Sequence, residues 1–135
     1  MPVIEGTERL KTAVAEYNFA VDGGAVGAIP LRGTGVLGGS LPVGSVVTSG
    51  YVEVITPPTS GGAATLGVSS EAAGDLVAAG TLVSAANWAT AGRKSVTPAG
   101  TGSTSVKTTA ARGITADVGV AALTAGFFRV VLVYR

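Results

Sequence analysis

Turn-forming residues divide this chain into short segments, which restricts it to secondary-structure elements of a few residues each. The 135 residues include 21 glycines and six prolines, and turn signals recur at intervals of roughly 8–15 residues. Between the turns, apolar and polar residues alternate, as at Ala13, Ala15 and Tyr17, which share one face. A period of two predicts half-buried strands. The sequence therefore predicts an all-β fold, a jelly-roll-like β-sandwich of about eight strands.

The segment 46–55 has the strongest strand pattern and is apolar on both faces. Simple alternation predicts that Val47 and Tyr51 enter the core. It places Val52 and Val54 on the opposite face, where they would meet a second sheet or a second subunit.

Three further segments complete the expected arrangement. The pair Pro57-Pro58 is predicted to end the preceding strand, because proline cannot donate to a sheet. Residues 71–84 are ambiguous between a turn of helix and an irregular excursion, since Gly74 and Gly80 disfavour a helix. Residues 127–134 are almost continuously apolar, which predicts either a buried central strand or one face of an oligomer contact.

The chain length favours one domain. Residues 1–10 contain Pro2, Gly6 and several charges without periodicity, and they are predicted to form a flexible N-terminal arm, either frayed or docked on a partner. Residues 11–135 are predicted to form a single β-sandwich domain. The first residues have no apolar stretch of the kind found in signal peptides.

The absence of histidine and cysteine limits the chemistry available to this chain. Most catalysis at neutral pH uses these residues or clustered carboxylates. A glycosidase would need two carboxylates about 5–10 Å apart, and Glu16 with Glu53 is the candidate pair if their strands are neighbours. Glu71 and Asp75 could share a metal ion, but they lack the spacing of a calcium loop. Solvated carboxylates are the simpler interpretation, and we expect no enzyme activity, no metal and no cofactor.

Charge and hydropathy narrow the class of partner. The net charge is +1 and charged residues make up only 13% of the chain, while mean hydropathy is +0.52. No stretch approaches the roughly 20 apolar residues of a spanning helix. The glycine-rich segment 33–44 lacks the Gly-Lys-Ser/Thr ending of a phosphate-binding loop. We therefore expect no nucleic-acid or membrane partner and a surface covered by protein contacts.

Four short motifs, in order, resemble a family of small tailed-bacteriophage virion proteins that decorate the head or form head fibres. The first is a Tyr-x-Phe strand before Asp-Gly-Gly; the second is Leu-Pro before a Val-Val strand. The third is a Thr-Pro and Ser-Gly turn before Ala-Thr-Leu-Gly-Val, and the fourth is an Ala-Leu-Thr-Ala-Gly hairpin. In the same order, the four motifs lie at Tyr17, Phe19 and Asp22–Gly24; at Leu41, Pro42, Val46 and Val47; at Thr56–Val68; and at Ala122–Gly126.

This resemblance implies a capsid decoration (cement) protein, a homo-oligomer and specifically a homotrimer, that binds the major capsid protein on the outer surface of the head. It would be made in the cytoplasm of a host bacterium. A receptor- or glycan-binding module of a head or tail fibre is the alternative. The expected capsid contacts are Met1, Pro2, Val3, Ile4, Arg93 and Lys94. The expected oligomer contacts are Val52, Val54, Trp88, Phe128 and Val130, although Trp88 could equally close one end of the sandwich.

Overall fold

The computed structural model describes residues 10–33, 40–82, 88–96, 98 and 106–135. Over these residues the fold is an all-β sandwich of twelve strands with one short helix, α1 (Phe19–Asp22). The strands in chain order are β1 (Lys11–Asn18), β2 (Gly27–Pro30), β3 (Arg32–Gly33), β4 (Ser40–Leu41), β5 (Val46–Ser60), β6 (Thr65–Ser69), β7 (Val77–Thr81), β8 (Gly92–Ser95), β9 (Val106–Lys107), β10 (Arg112–Gly113), β11 (Thr115–Gly119) and β12 (Leu123–Tyr134). No helix in these ranges is long and apolar enough to cross a membrane.

Two antiparallel sheets form the layers of the sandwich. The six-stranded sheet has the order β3-β1-β12-β5-β8, with β9 also paired to β5. The four-stranded sheet has the order β2-β11-β6-β7. The two short strands β10 and β4 pair separately. Strands β1, β12 and β5 pair along most of their length, so the longest elements form the centre of the large sheet.

The core lies between the two sheets. Alternate residues of β1 and β12 face inward, and Ala13, Ala15 and Tyr17 are fully buried, which confirms the face predicted from the sequence. The Tyr17 ring stacks on Phe128, with ring centroids 5.1 Å apart. Trp88 also packs against Phe128, with ring centroids 4.9 Å apart. Offset and tilted aromatic contacts of this kind add to the stability gained by burying the rings.

The predicted faces of β5 are partly wrong, because the strand contains a bulge. The partner register moves from Ser49 opposite Val133 to Val47 opposite Tyr134, which leaves Thr48 as an extra residue. An extra residue reverses the alternation on either side of it. Val47 is therefore buried on one side of the bulge and Val52 on the other, while Tyr51 faces outward and is only half-buried.

The two prolines do not end β5, contrary to prediction. Thr56 pairs with Phe127 and Thr59 pairs with Ala125, so Pro57 and Pro58 together lie opposite Gly126. The irregular register removes the need for proline N–H groups in the ladder. Gly126 has φ +147° and a side chain there would lie 3.1 Å from the Cα atom of Pro58. Glycine thus permits the close approach that lets the strand continue.

Two other segments differ from prediction. Strand β1 ends at Asn18, whose side chain accepts a hydrogen bond from the Ala20 N–H at the start of α1. Phe19 is therefore helical and does not belong to the strand expected from the Tyr-x-Phe motif. The ambiguous segment contains a bend over residues 70–76 and then β7. The carboxylate of buried Asp75 accepts hydrogen bonds from the N–H groups of Ser70, Glu71 and Ala72 and fixes this bend.

Candidate interaction surface

The outer face of the six-stranded sheet carries one continuous row of charged residues. Register places Arg32 opposite Glu16, Glu16 opposite Arg129, Arg129 opposite Glu53 and Glu53 opposite Arg93. Each residue comes from a different strand, in the order β3, β1, β12, β5 and β8. The signs alternate along the row, which favours each directly opposed pair. We call these five residues the charged row.

Short contacts pair most of these groups. The Arg129 guanidinium lies 3.2 Å from the Glu16 carboxylate, and that of Arg93 lies 2.9 Å from Glu53. Arg32 lies 3.5 Å from Glu16 and 3.0 Å from Asp22. With Asp22 included, three positive and three negative groups balance one another. The charged row therefore presents alternating but locally neutralised charge.

Apolar side chains flank the charged row on the same face. Val14, Val131 and Tyr51 lie opposite one another on the three central strands, and all are half-buried. Phe127 lies on the other side of the row, opposite Asn18. Arginines of the row cover both aromatic rings: Arg93 is 5.1 Å from the Tyr51 ring centre and Arg129 is 5.5 Å from that of Phe127. Such cation–π contacts hold the guanidinium groups in place.

The five residues expected at the oligomer contact lie inside the subunit instead. Val52, Trp88, Phe128 and Val130 have no exposed surface, and Val54 is 2% exposed. The indole N–H of Trp88 also donates a hydrogen bond of 2.9 Å to the backbone oxygen of Leu66. A side chain enclosed by its own subunit cannot also touch a second one, so this assignment is wrong. The bulge at Thr48 explains the error for Val52 and Val54.

The expected capsid contacts fall in two places. Met1, Pro2, Val3 and Ile4 lie outside the described residues. Arg93 and Lys94 are neighbours on β8, at the edge of the six-stranded sheet, but they pair in different ways. Arg93 belongs to the charged row, whereas the Lys94 ammonium group donates to the Thr90 hydroxyl at 2.9 Å.

The carboxylates considered for catalysis or metal binding already have partners. Strand β12 lies between the strands of Glu16 and Glu53, and places Arg129 between the two acids. Glu71 accepts hydrogen bonds from the N–H of Thr109 and from Arg112. These bonds lower the pKa of the Glu71 carboxyl, the backbone bond from Thr109 contributing most. In the ranges the structure describes, no three histidine, cysteine or acidic residues group as metal ligands.

One end of the sandwich is apolar. The Leu123 N–H donates to the Gly24 backbone oxygen at 2.8 Å, which brings the loop after α1 beside the turn between β11 and β12. Val21, Val26 and Val120 are all more than half exposed there. Val120 also has φ +69°, a conformation that is strained for a β-branched residue.

Two buried tyrosines differ in their hydrogen bonding. The Tyr17 hydroxyl donates to the Gly23 backbone oxygen, and burial together with the nearby Asp22 carboxylate raises its pKa to about 12. Burial also raises the pKa of Tyr134. Its hydroxyl is the one buried side-chain polar atom, within the described part of the chain, for which no hydrogen-bond partner is found.

The charged row could not be found from the sequence alone. Glu16, Glu53 and Arg129 each occupy a polar position in a strand pattern, which is the only local signal. Their alignment depends on the order β1-β12-β5, which places residues from both ends of the chain side by side.

The fold is similar to chains of solved bacteriophage capsids. No protein-family model matches the sequence, and no curated protein matches it. A chain of the capsid asymmetric unit of cyanophage Pam1 has a TM-score of 0.62 and 21% identity, with 99% of this chain and 89% of that chain covered. A chain of the Ralstonia phage GP4 capsid has a TM-score of 0.61 and 19% identity, with 99% and 88% covered.

A third similar chain comes from the acid-stable capsid of Helicobacter pylori bacteriophage KHP30. Its TM-score is 0.60 and its identity 16%, with 95% of this chain and 89% of that chain covered. All three alignments span nearly the whole of both chains. At these identities the similarity establishes a shared fold.

Proposed function

We propose that this protein is a non-enzymatic decoration (cement) protein of a bacteriophage head. It binds the major capsid protein on the outer surface of the icosahedral shell as an oligomer, and it stabilises that shell. The observation that carries the proposal is the near-complete coverage of three phage capsid chains by this fold. Because the alignments span both partners, the similarity concerns whole components of those capsids rather than a shared subdomain.

The mechanism is the addition of protein–protein contact area to the shell. An interface of about 1,600 Å² supports affinities from micromolar to picomolar. When an oligomer contacts several shell subunits at once, its second and later contacts form at high effective concentration. A homotrimer fits this mechanism, and it is the state implied by the sequence resemblance. The protein would be made in the cytoplasm of the host bacterium and would remain on the virion.

The exposed edge of the six-stranded sheet supplies the proposed shell contact. Among the described strands, β8 ends the sheet, and its half-buried Lys94 places a positive charge there, while the neighbouring exposed Arg93 is paired with Glu53. An edge strand offers unpaired backbone groups to a neighbouring chain. Positive charge on such an edge favours an acidic partner surface. The proposed contact of residues 1–4 with the shell remains a sequence-based prediction.

A receptor- or glycan-binding module is the second candidate. It would use exposed aromatic rings to stack on sugars, and Tyr51 and Phe127 are the half-buried aromatic residues on the sheet face. Each of these rings is covered by an arginine of the charged row, and Trp88 is buried. The faces that a sugar would need are therefore occupied, which favours the decoration function.

Cosedimentation tests the proposal. Purified protein is added to heads of the parent phage that lack it, and bound protein is measured in the pellet over a range of concentrations. The proposal expects saturation at a fixed ratio to the major capsid protein and a higher temperature of shell disruption. Protein that stays in the supernatant at all concentrations would contradict it, and binding to a glycan array would then support the fibre function.

A further inference from the structure

We propose that the outer face of the six-stranded sheet is the surface through which copies of this chain associate, around a symmetry axis that runs along its strands. This inference rests on the proposed function, which requires an oligomer, and deepens it by assigning the subunit contact. The occupant of the face is a second copy of the same chain.

The chemistry of the face resembles that of protein interfaces. Arginine and aromatic residues are enriched in interfaces relative to the rest of the surface, and lysine is depleted. The positive members of the charged row are all arginines, and two of them, Arg93 and Arg129, lie against Tyr51 and Phe127. Val14 and Val131 lie beside them and are half-buried. Apolar side chains on a face that the core does not use favour coverage by a partner.

The charged row can enter an interface at a lower electrostatic cost than unpaired charges would. Burial of an unpaired charge is strongly unfavourable, whereas paired and hydrogen-bonded charges lose much less. Glu16 accepts from Arg129 and lies 3.5 Å from Arg32, and Glu53 accepts from Arg93. The partners are therefore in place before association. Because the charges of the row balance, the row would not attract a partner surface that is entirely acidic or entirely basic.

A second copy of the chain fits this face when the symmetry axis runs along the strands. Rotation about an axis parallel to the strands leaves every residue at the same height along that axis. The charged row of one copy therefore meets the charged row of the next, and the row of Val14, Val131 and Tyr51 meets its own equivalent. A row of alternating sign is complementary to itself after a shift of one strand, about 4.8 Å. Closed cyclic symmetry is also the commonest arrangement of homo-oligomers.

The test compares two valine-to-glutamate variants of the full chain. Val131→Glu places an unpaired carboxylate at the centre of the proposed contact. Val43→Glu is the control with the same chemical change, because Val43 is 66% exposed in the turn before β5 and lies outside the strands of the sheet. Analytical ultracentrifugation measures the association of each variant and of the unchanged protein. We expect Val131→Glu to weaken association at least about a hundredfold, as for a charge buried without a partner, and Val43→Glu to leave it unchanged.

A milder variant separates the loss of the contact from a defect in folding. Val131→Thr keeps the shape of the side chain and adds a hydroxyl, and it should weaken association measurably while the tryptophan emission of Trp88 stays native. An unchanged protein that is monomeric at all concentrations would overturn the inference, as would an oligomer that persists in folded Val131→Glu. A monomer that still saturates undecorated heads would refute this contact and the oligomeric state, and would leave only the binding to the head standing. If the unchanged protein is an oligomer that Val131→Glu dissociates, but this oligomer binds no heads, the result would support the contact and refute the proposed function.

Discussion

The indole N–H of Trp88 donates a 2.9 Å hydrogen bond to the backbone oxygen of Leu66, while its ring packs against Phe128. Leu66 belongs to the four-stranded sheet and Phe128 to the six-stranded sheet. A single fully buried side chain thus links the two layers. This position is structural, and it makes Trp88 a natural reporter of the sandwich.

Replacement of Trp88 should destabilise the subunit. Trp88→Ala removes a large buried ring and should lower the free energy of unfolding by about 3–5 kcal/mol. Trp88→Phe retains most of the packing but leaves the Leu66 carbonyl without its donor, at a cost of about 1–3 kcal/mol. Chemical denaturation followed by circular dichroism measures both values. Equal stability of Trp88→Phe and the unchanged protein would show that the hydrogen bond contributes nothing.

The two buried tyrosines should respond in opposite ways to loss of the hydroxyl. Tyr17→Phe removes the hydrogen bond to Gly23 and should cost about 1 kcal/mol. Tyr134→Phe removes a buried hydroxyl that has no partner, so stability should be unchanged or rise by about 1 kcal/mol. The two variants make the same chemical change and serve as controls for each other. A larger loss for Tyr134→Phe than for Tyr17→Phe would contradict the assigned hydrogen bonding.

Stability should fall at alkaline pH. The pKa of Tyr17 is raised from 10.0 to about 12 in the folded protein, so the folded state holds this proton where the unfolded chain releases it. Between those values the folded state binds more protons, and the free energy of unfolding decreases as pH rises. Tyr134, whose pKa is also raised, adds to the effect. Tyr17→Phe should reduce this pH dependence in denaturation measured from pH 9 to 12.

Acid should weaken the contact between the bend at 70–76 and the segment at 109–112. Hydrogen bonds from Thr109 and Arg112 lower the pKa of Glu71 below its ordinary value of 4.5. The stabilisation is complete above that ordinary value and is lost as pH falls through the lowered pKa. Glu71→Gln should remove this part of the acid dependence. An acid limb that is identical in the variant would show that the pairing contributes little.

The basic edge can be tested with a matched pair of charge reversals. Lys94→Glu reverses a charge on β8, whereas Lys107→Glu makes the same change on β9 at the other end of that sheet edge. If β8 contacts an acidic shell surface, Lys94→Glu should weaken binding to undecorated heads about tenfold or more. Lys107→Glu should have a much smaller effect. Equal losses would indicate a general electrostatic attraction instead of a defined contact.

Sequence patterns predicted the fold class and much of the core, because alternation depends only on neighbours along the chain. Ala13, Ala15 and Tyr17 face inward as expected. Errors arose where one residue changed the alternation: the bulge at Thr48 reversed the faces of Tyr51 and Val52. Bulges depend on the partner strand, which a local pattern does not contain.

The candidate interaction surface could not be predicted from the sequence. Glu16, Arg129 and Glu53 become neighbours only because β12, at one end of the chain, inserts between β1 and β5. Knowledge of strand order is therefore required before the charged row can be recognised. The resemblance to phage head proteins supplied a function class but not the residues that would perform it.

Cryo-electron microscopy of undecorated heads incubated with this protein tests the central claim most directly. The account predicts added density of the size of this sandwich at symmetry-related positions on the outer surface, with copies joined through the outer face of the six-stranded sheet. Heads that remain bare at saturating protein concentration would contradict the decoration function.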